Sequence, residues 1–264
     1  HQHREFRRYY PGGEVTAHLV GFTGLDEAGQ EGIELAHQAS LGGVPGSRRV
    51  IKDRLGRVVE DVESIRAAQD GKDLQLSIDG KIQNLAYGVL KAAVAEHKAQ
   101  AGAAVAIDVR TGEVLALVNL PSFNPNNRAR LSGAQLRNRV LTDSFEPGST
   151  LKPFTVALAL ETGRVTPRSL VSSGQDPLRI ANYTIRDLHP EGPVSVAQVI
   201  QRSSNVGAAR IALSLPREEM WDLFNRAGFG TAPQLGFPGE AGGRLRAAHS
   251  WRPVEQATMG YGHG

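Results

Sequence analysis

The sequence predicts an α+β protein: an antiparallel sheet covered by helices, a helical subdomain, and ahead of them part of a small irregular β-rich module. Three observations carry this. Residues to about 70 are rich in glycine and charge with little helical periodicity. From Asp79 onward, apolar residues recur at helical spacing. Two near-continuous apolar runs, Ala103–Val109 and Val114–Asn119, then meet across Arg110-Thr111-Gly112-Glu113 as a hairpin. The expected division is therefore 1–70 for the small module and 71–264 for the larger domain.

Along the chain, Glu14–Val20 and Arg48–Asp53 read as short strands, and Arg54–Val59 turns the second into a hairpin. Helical periodicity occurs near Gly32–Leu41. Ala67–Lys72 reads as a linker, and Asp73–Ile78 alternates apolar and polar residues as a strand does. Asp79 stands where a helix cap belongs, ahead of Ile82, Leu85, Ala86, Val89, Leu90, Ala93 and Val94. The apolar character of the hairpin that follows predicts a sheet covered on both faces. Pro121–Arg130 is a polar loop. A helix starting near Ser149 carries Phe154, Val156, Ala157, Leu158 and Leu160, apolar almost all round, and so belongs in the domain centre. Val194–Arg202, Val206–Leu215 and Arg217–Ala227 read as three more helices, before a turn-rich stretch from Gly228 to Gly243.

Composition narrows the function. A chain of 264 residues, 40% hydrophobic and 22% charged, is an ordinary globular sequence, long enough for a large domain and a smaller one. The net charge of +3 is spread among acidic residues without a basic stripe, so nucleic acid is not an expected partner. With no cysteine there is neither a disulfide nor a thiolate metal site, and the eight histidines show no metal-ligand spacing; His1 and His3 read as incidental. No cofactor is expected. No run of about 18 apolar residues occurs to span a bilayer. The abrupt ends read as those of a piece of a longer protein, with any membrane anchor outside it.

The chemistry concentrates at Glu146-Pro147-Gly148-Ser149-Thr150-Leu151-Lys152-Pro153-Phe154. Residues three apart in a helical turn share a face, so the Ser149 hydroxyl and the Lys152 amine fall within hydrogen-bond reach: a nucleophile beside a candidate base. Pro147-Gly148 and Pro153 place the helix start here, with Ser149 at or next to its N-cap, where negative charge is favoured. Further on, Ser203-Ser204-Asn205 lies between two predicted helices, offering a hydroxyl able to relay a proton and a carboxamide able to hold a substrate or steady the lysine. Glu146 and Thr150, flanking the serine, are candidate substrate-binding residues, and Glu146 a candidate tuner of Lys152. The bland alternatives are a capping serine with a surface lysine, and a pair of helix caps at Ser203 and Asn205. A Ser149-His189-Asp187 triad is disfavoured, because Lys152 already fills the base position and no Gly-x-Ser-x-Gly elbow surrounds the serine. The glycine-rich stretch lacks the Lys-Ser/Thr ending of a phosphate loop.

These motifs resemble those of the penicillin-binding proteins, whose signature is Ser-x-x-Lys, Ser-x-Asn and Lys-Thr-Gly. Arg8-Tyr9-Tyr10-Pro11, Gly21-Phe22-Thr23, Gly32-Ile33-Glu34, Lys52-Asp53-Arg54-Leu55-Gly56-Arg57, Asn124-Pro125-Asn126-Asn127, Arg137-Asn138-Arg139 and Gly236-Phe237-Pro238-Gly239-Glu240 are similar to the class B, septal type, the FtsI division transpeptidases of Gram-negative bacteria. The resemblance implies a penicillin-binding-protein transpeptidase fold preceded by a dimerisation-type pedestal. It implies that Ser149 attacks the D-alanyl-D-alanine carbonyl of a peptidoglycan stem peptide, with Lys152 as base, Ser203 as proton relay, Asn205 as a substrate contact and the Ser149 N–H as half of an oxyanion hole. It also implies β-lactams as ligands, division-complex membrane proteins including a glycosyltransferase as partners, and periplasmic domains on a single inner-membrane anchor.

The third motif is missing: no lysine follows Lys152. By the resemblance, that strand and the later strands of the sheet lie beyond Gly264, and this chain alone is expected to react slowly or not at all with penicillin. Tyr261-Gly262-His263-Gly264 resembles a Tyr-Gly-Tyr-Gly segment with His263 in place of the second tyrosine. Two other readings stay open. A serine β-lactamase or β-lactam sensor shares the early motifs; a lactamase needs a water-activating carboxylate, and Glu218 and Glu219 lie in a helical pattern without the expected partner asparagine. The other is a non-catalytic division scaffold.

Overall fold

The computed structural model describes residues 8–264, so His1 and His3 lie outside the described residues. The chain gathers into two compact units: residues up to Asp143 with Gln234–Glu240, and Ser144–Pro233 with Ala241–Gly264. This packing division is distinct from the expected chain division near residue 70. Among the described residues every sheet is two-stranded, and no helix is long and apolar enough to cross a membrane.

The first unit opens with a 3-10 turn, Gly13–Val15, and a one-turn helix α1 (Ala17–Val20), where the sequence predicted a strand. The reason is local bonding: the Leu19 and Val20 amides return to the Thr16 carbonyl and the Gly21 amide to the Ala17 carbonyl, so this backbone is satisfied within its own turn. Strands β1 (Phe22–Thr23) and β2 (Gly29–Glu31) pair antiparallel and lead into short helices α2 (Gly32–Ala36) and α3 (Gln38–Leu41). The expected hairpin forms from β3 (Ser47–Lys52) and β4 (Val58–Arg66), with Asp53 accepting the Leu55 and Arg57 amides at its turn. Asp73–Ile78 is not a strand. Leu74 and Leu76 of its alternating pattern are exposed and it joins no ladder; the Ser77 hydroxyl donates to the Val114 carbonyl at 2.7 Å.

Helix α4 (Gly80–Glu96) starts as predicted, Asp79 accepting the Lys81 and Ile82 amides. It packs on the hairpin of β5 (Gly102–Ile107) and β6 (Val114–Leu120) through Tyr87, Leu90 and Val94 against Val118 and Leu120. Buried Gln83 acts as a surrogate strand, its carboxamide accepting the Leu117 N–H at 2.8 Å and donating to the Leu117 carbonyl at 2.9 Å. Coverage on both faces holds for β6, where Ala116 to Leu120 are buried, but not for β5, whose Val105 and Ile107 are 46% and 52% exposed. The difference follows from α4 lying chiefly over β6. Two one-turn helices, α5 (Gly133–Leu136) and α6 (Arg139–Thr142), are too short to show in a periodicity.

The second unit is mainly helical: α7 (Lys152–Glu161), α8 (Val196–Gln201), α9 (Asn205–Ser214), α10 (Arg217–Arg226) and α11 (Pro253–Met259). Between α7 and α8 lie β7 (Leu170–Val171), paired with β10 (Val194–Ser195), and the small hairpin of β8 (Leu178–Ile180) and β9 (Tyr183–Ile185). Helix α9 is the centre. Val206, Ala208, Ala209, Ile211 and Ala212 are buried, and their small side chains let α7 and α11 approach closely. Each large aliphatic side chain taken out of water in this core stabilises it by roughly 1.5–3 kcal/mol. Helix α7 is less enclosed than its composition predicts, since Phe154 and Leu160 are each 37% exposed. Phe154 instead meets the Phe229 ring edge-on at 5.6 Å.

Candidate active site

Local sequence dictates the turn bearing Ser149. Pro147 fixes its own φ near −65°, Gly148 takes φ +59°, and Gly148–Leu151 forms a 3-10 turn that runs into α7. Pro153, without an N–H, sits in the first turn of α7, where none is needed. Ser149 is therefore one turn ahead of the α-helix proper, slightly before the N-cap position expected. In a 3-10 turn residues three apart eclipse, and Lys152 Nζ lies 3.0 Å from Ser149 Oγ.

The second turn comes in from the α8–α9 connection. Ser203 is held at φ +56°, unusual for a residue with a β-carbon, and this turns both its carbonyl and its hydroxyl towards Lys152. Lys152 Nζ reaches the Ser203 carbonyl at 2.7 Å, Ser203 Oγ at 2.8 Å and Asn205 Oδ1 at 2.8 Å. Ser203 Oγ is also 2.8 Å from Ser149 Oγ. The structure thus brings Ser149, Lys152, Ser203 and Asn205 into one hydrogen-bonded group.

Lys152 is 1% exposed, whereas Ser149 and Ser203 are open to solvent. Burial lowers the Lys152 ammonium to about 8, against the attraction of the Asp187 carboxylate, which raises it. At pH 7 such an amine is neutral about a tenth of the time, a few hundred times more often than a free lysine. The partners suit the neutral form. The Ser203 carbonyl and Asn205 Oδ1 only accept, so they take the two N–H groups and leave the lone pair for the hydroxyls.

Asp187 holds the second turn in place, and sequence reasoning missed that role. It follows β9, and its Oδ1 accepts the Asn205 and Val206 amides at 2.6 and 2.9 Å, capping α9. Its Oδ2 accepts from Ser204 Oγ at 2.6 Å and from Ser173 Oγ at 3.3 Å. Both oxygens are occupied, so Asp187 does not orient His189 for a triad. A cavity of about 240 Å³ opens beside Ser149, Ser203 and Asn205, with Asp187, His189 and Glu191 on its wall. Glu146 and Thr150 stand apart from this group. Glu146 pairs with His263 at 2.7 Å, and Thr150 Oγ1 donates to the Pro147 carbonyl. The carboxylate acting on Lys152 is Asp187 and not Glu146. Among the described residues no cluster of three or more histidine or acidic side chains is placed to hold a metal.

By fold and site this is an α+β protein with a serine–lysine centre, completed by a Ser-x-Asn turn. Residues 102–264 match the model of the penicillin-binding protein transpeptidase domain, and residues 2–76 that of the penicillin-binding protein dimerisation domain. The chain belongs to the penicillin-binding protein transpeptidase family. It is 46% identical over 264 residues to the peptidoglycan D,D-transpeptidase FtsI of Escherichia coli K12, covering 100% of this chain and 44% of that protein. It is 44% identical over 263 residues to the probable peptidoglycan D,D-transpeptidase PenA of Neisseria gonorrhoeae, covering 99% and 45%. Among solved structures, the apo transpeptidase domain of Burkholderia pseudomallei penicillin-binding protein 3 matches with TM-score 0.65 and 51% identity over 74% of this chain and 55% of that one. A structure described as a peptidoglycan glycosyltransferase from Burkholderia ambifaria matches with TM-score 0.65 and 53% identity over 72% and 56%. The chain spans just under half the length of the FtsI and PenA relatives.

Proposed function

We propose that the whole protein is a peptidoglycan D,D-transpeptidase that cross-links stem peptides during septal cell-wall synthesis and is acylated by β-lactams. One observation carries the reading: a desolvated lysine amine 3.0 Å from the Ser149 hydroxyl, held by the Ser203–Asn205 turn. In the first step Ser149 Oγ attacks the carbonyl carbon of the D-alanyl-D-alanine bond while its proton passes to the Lys152 lone pair. The Ser149 N–H is one oxyanion donor, a contribution of about 3 kcal/mol. The C–N bond then breaks, and Ser203 Oγ, bonded to both Lys152 and Ser149, relays the proton to the departing D-alanine amine. An amine from a second stem peptide attacks the acyl-enzyme, gives up a proton by the same route and restores Ser149.

Against a β-lactamase, Glu218 and Glu219 lie exposed on α10, away from the cavity wall, and Glu191 on that wall is paired with Arg202. We further propose periplasmic domains on an inner-membrane anchor, and membrane proteins of the division complex, including a glycosyltransferase, as partners. The test is incubation of the full-length protein with a fluorescent penicillin, followed by intact-mass measurement. A covalent adduct that persists for hours and vanishes in Ser149→Ala supports the transpeptidase. An adduct lost within seconds indicates a lactamase. Septation sustained by Ser149→Ala in cells indicates a scaffold.

A further inference from the structure

The Tyr261–Gly264 segment runs back across the turn that carries Ser149. The Gly148 N–H donates to the Gly262 carbonyl at 3.0 Å. A side chain on Gly262, at φ +87°, would fall onto the Gly148 backbone. These are backbone-to-backbone contacts one residue from the nucleophile. At the outer edge of the crossing, Glu146 Oε2 is 2.7 Å from His263 Nδ1, and its Oε1 accepts the Gly264 N–H at 3.3 Å. On the inner side Tyr261 is buried, its ring 5.4 Å from the imidazole. Neither Glu146 nor His263 takes part in the mechanism above.

A carboxylate facing an imidazole makes a neutral hydrogen bond or, once the ring is protonated, a stronger charge-assisted one. Both side chains are more than half exposed, at 57% and 55%, so the pair adds little to global stability. Its leverage is geometric. A misplacement of about 1 Å at a reacting group can cost on the order of a hundredfold in rate.

We propose that Glu146 and His263 are positioning residues, a clasp that holds the Tyr261–Gly264 segment on the Pro147-Gly148 turn and so fixes Ser149 against Lys152. The proposal rests on the acyl-transfer reading. The titratable groups facing His263 are Glu146 and Tyr261, with Tyr183 bonded to the latter; burial pushes Tyr261 up to about 12, so it stays neutral throughout the working range.

The test is acylation by a fluorescent penicillin in the full-length protein near neutral pH, resolved into the non-covalent binding constant and the first-order acylation step. Wild type is compared with Glu146→Gln, His263→Gln and the double variant. Each single change is expected to lower the acylation step about tenfold, and the double change no further, because the two residues act as one unit. The loss should fall on the first-order acylation step and leave the non-covalent binding constant for the penicillin unchanged, because the clasp acts on the placement of Ser149. Melting temperatures of the four proteins should agree closely, whereas a merely structural role would move them and weaken binding along with the acylation step. Additive losses, or a loss confined to the binding constant, would overturn the clasp alone. If wild type is not acylated at all, the acyl-transfer reading fails and the clasp with it.

Discussion

The Asp187 carboxylate accepts the Asn205 amide N–H at 2.6 Å, from a loop eighteen residues upstream of the helix it caps. The same carboxylate raises the Lys152 ammonium while burial lowers it. Asp187 therefore fixes the Ser203–Asn205 turn and moderates the base. Asp187→Ala should cost roughly 1–2 kcal/mol in unfolding free energy through the lost cap. It should also slow penicillin acylation by about ten- to a hundredfold as the turn loosens. With the attraction gone, Lys152 loses its proton at lower pH. The acid limb of the acylation profile should move to lower pH even as its maximum falls, and a stopped-flow pH series measures both.

In the proposed acylation Lys152 must be neutral to take the Ser149 proton, and burial holds its ammonium near 8. Acylation should rise with pH through about 8 and level off above it, where an unburied lysine would still be climbing past pH 10. Lys152→Arg tests the cause. A guanidinium stays protonated at any working pH, so the variant should lose at least about a thousandfold in rate and show no rise through pH 8. A variant that kept the rise would assign the limb to another group.

How much of this was legible in the sequence depends on range. Ser149 and Lys152 were readable because three-residue spacing in one turn fixes their meeting, and Ser203 with Asn205 because the motif sits on a turn between two periodic segments. Asp187 was not, since its partners are amides and hydroxyls distant in sequence, and nothing around it marks a helix cap. The one available signal was an α9 start rich in donors with only Ser204 to accept. Strands of two or three residues, such as β7 and β10, fall below the length at which alternation carries information. Glu14–Val20 and Asp73–Ile78 failed for related reasons. Alternation implies a strand only where a ladder partner exists, and the Leu19, Val20 and Gly21 amides find their acceptors within their own turn, on Thr16 and Ala17.

Gly262 supplies a backbone test of the crossing over the nucleophile turn. Its φ of +87° disfavours a β-carbon, and that carbon would also collide with the Gly148 backbone, which has no flexible end to move aside. Gly262→Ala should cost about 1–3 kcal/mol or more and lower acylation at least tenfold, because Gly148 adjoins Ser149. Gly112→Ala is the control. Its φ is +78° with nothing within 4 Å of the added carbon, so it should cost about 1 kcal/mol and leave acylation unchanged. Thermal melts and acylation rates on both variants separate strain from collision.

Glu255 ties the start of α11 to its surroundings and makes stability acid-sensitive. Its carboxylate accepts the Arg252 N–H at 2.7 Å and pairs with Arg246 at 3.0 Å and Arg252 at 3.3 Å. Those bonds hold it at about 2, with the Arg252 amide the largest cause. In the unfolded chain a glutamate titrates near 4.3, so between about 4.3 and 2 the unfolded state binds the extra proton. The stabilisation is fully present above the unfolded value and drains away as pH falls through that window. Melting temperature should therefore drop between about pH 5 and 2 in the wild type, and Glu255→Gln should flatten that part of the curve while lowering its neutral plateau. Helix α11 leads directly into Tyr261 and the segment crossing the nucleophile turn, so Glu255→Gln should also slow acylation at neutral pH; an unchanged rate would mean that the segment holds its position without the cap.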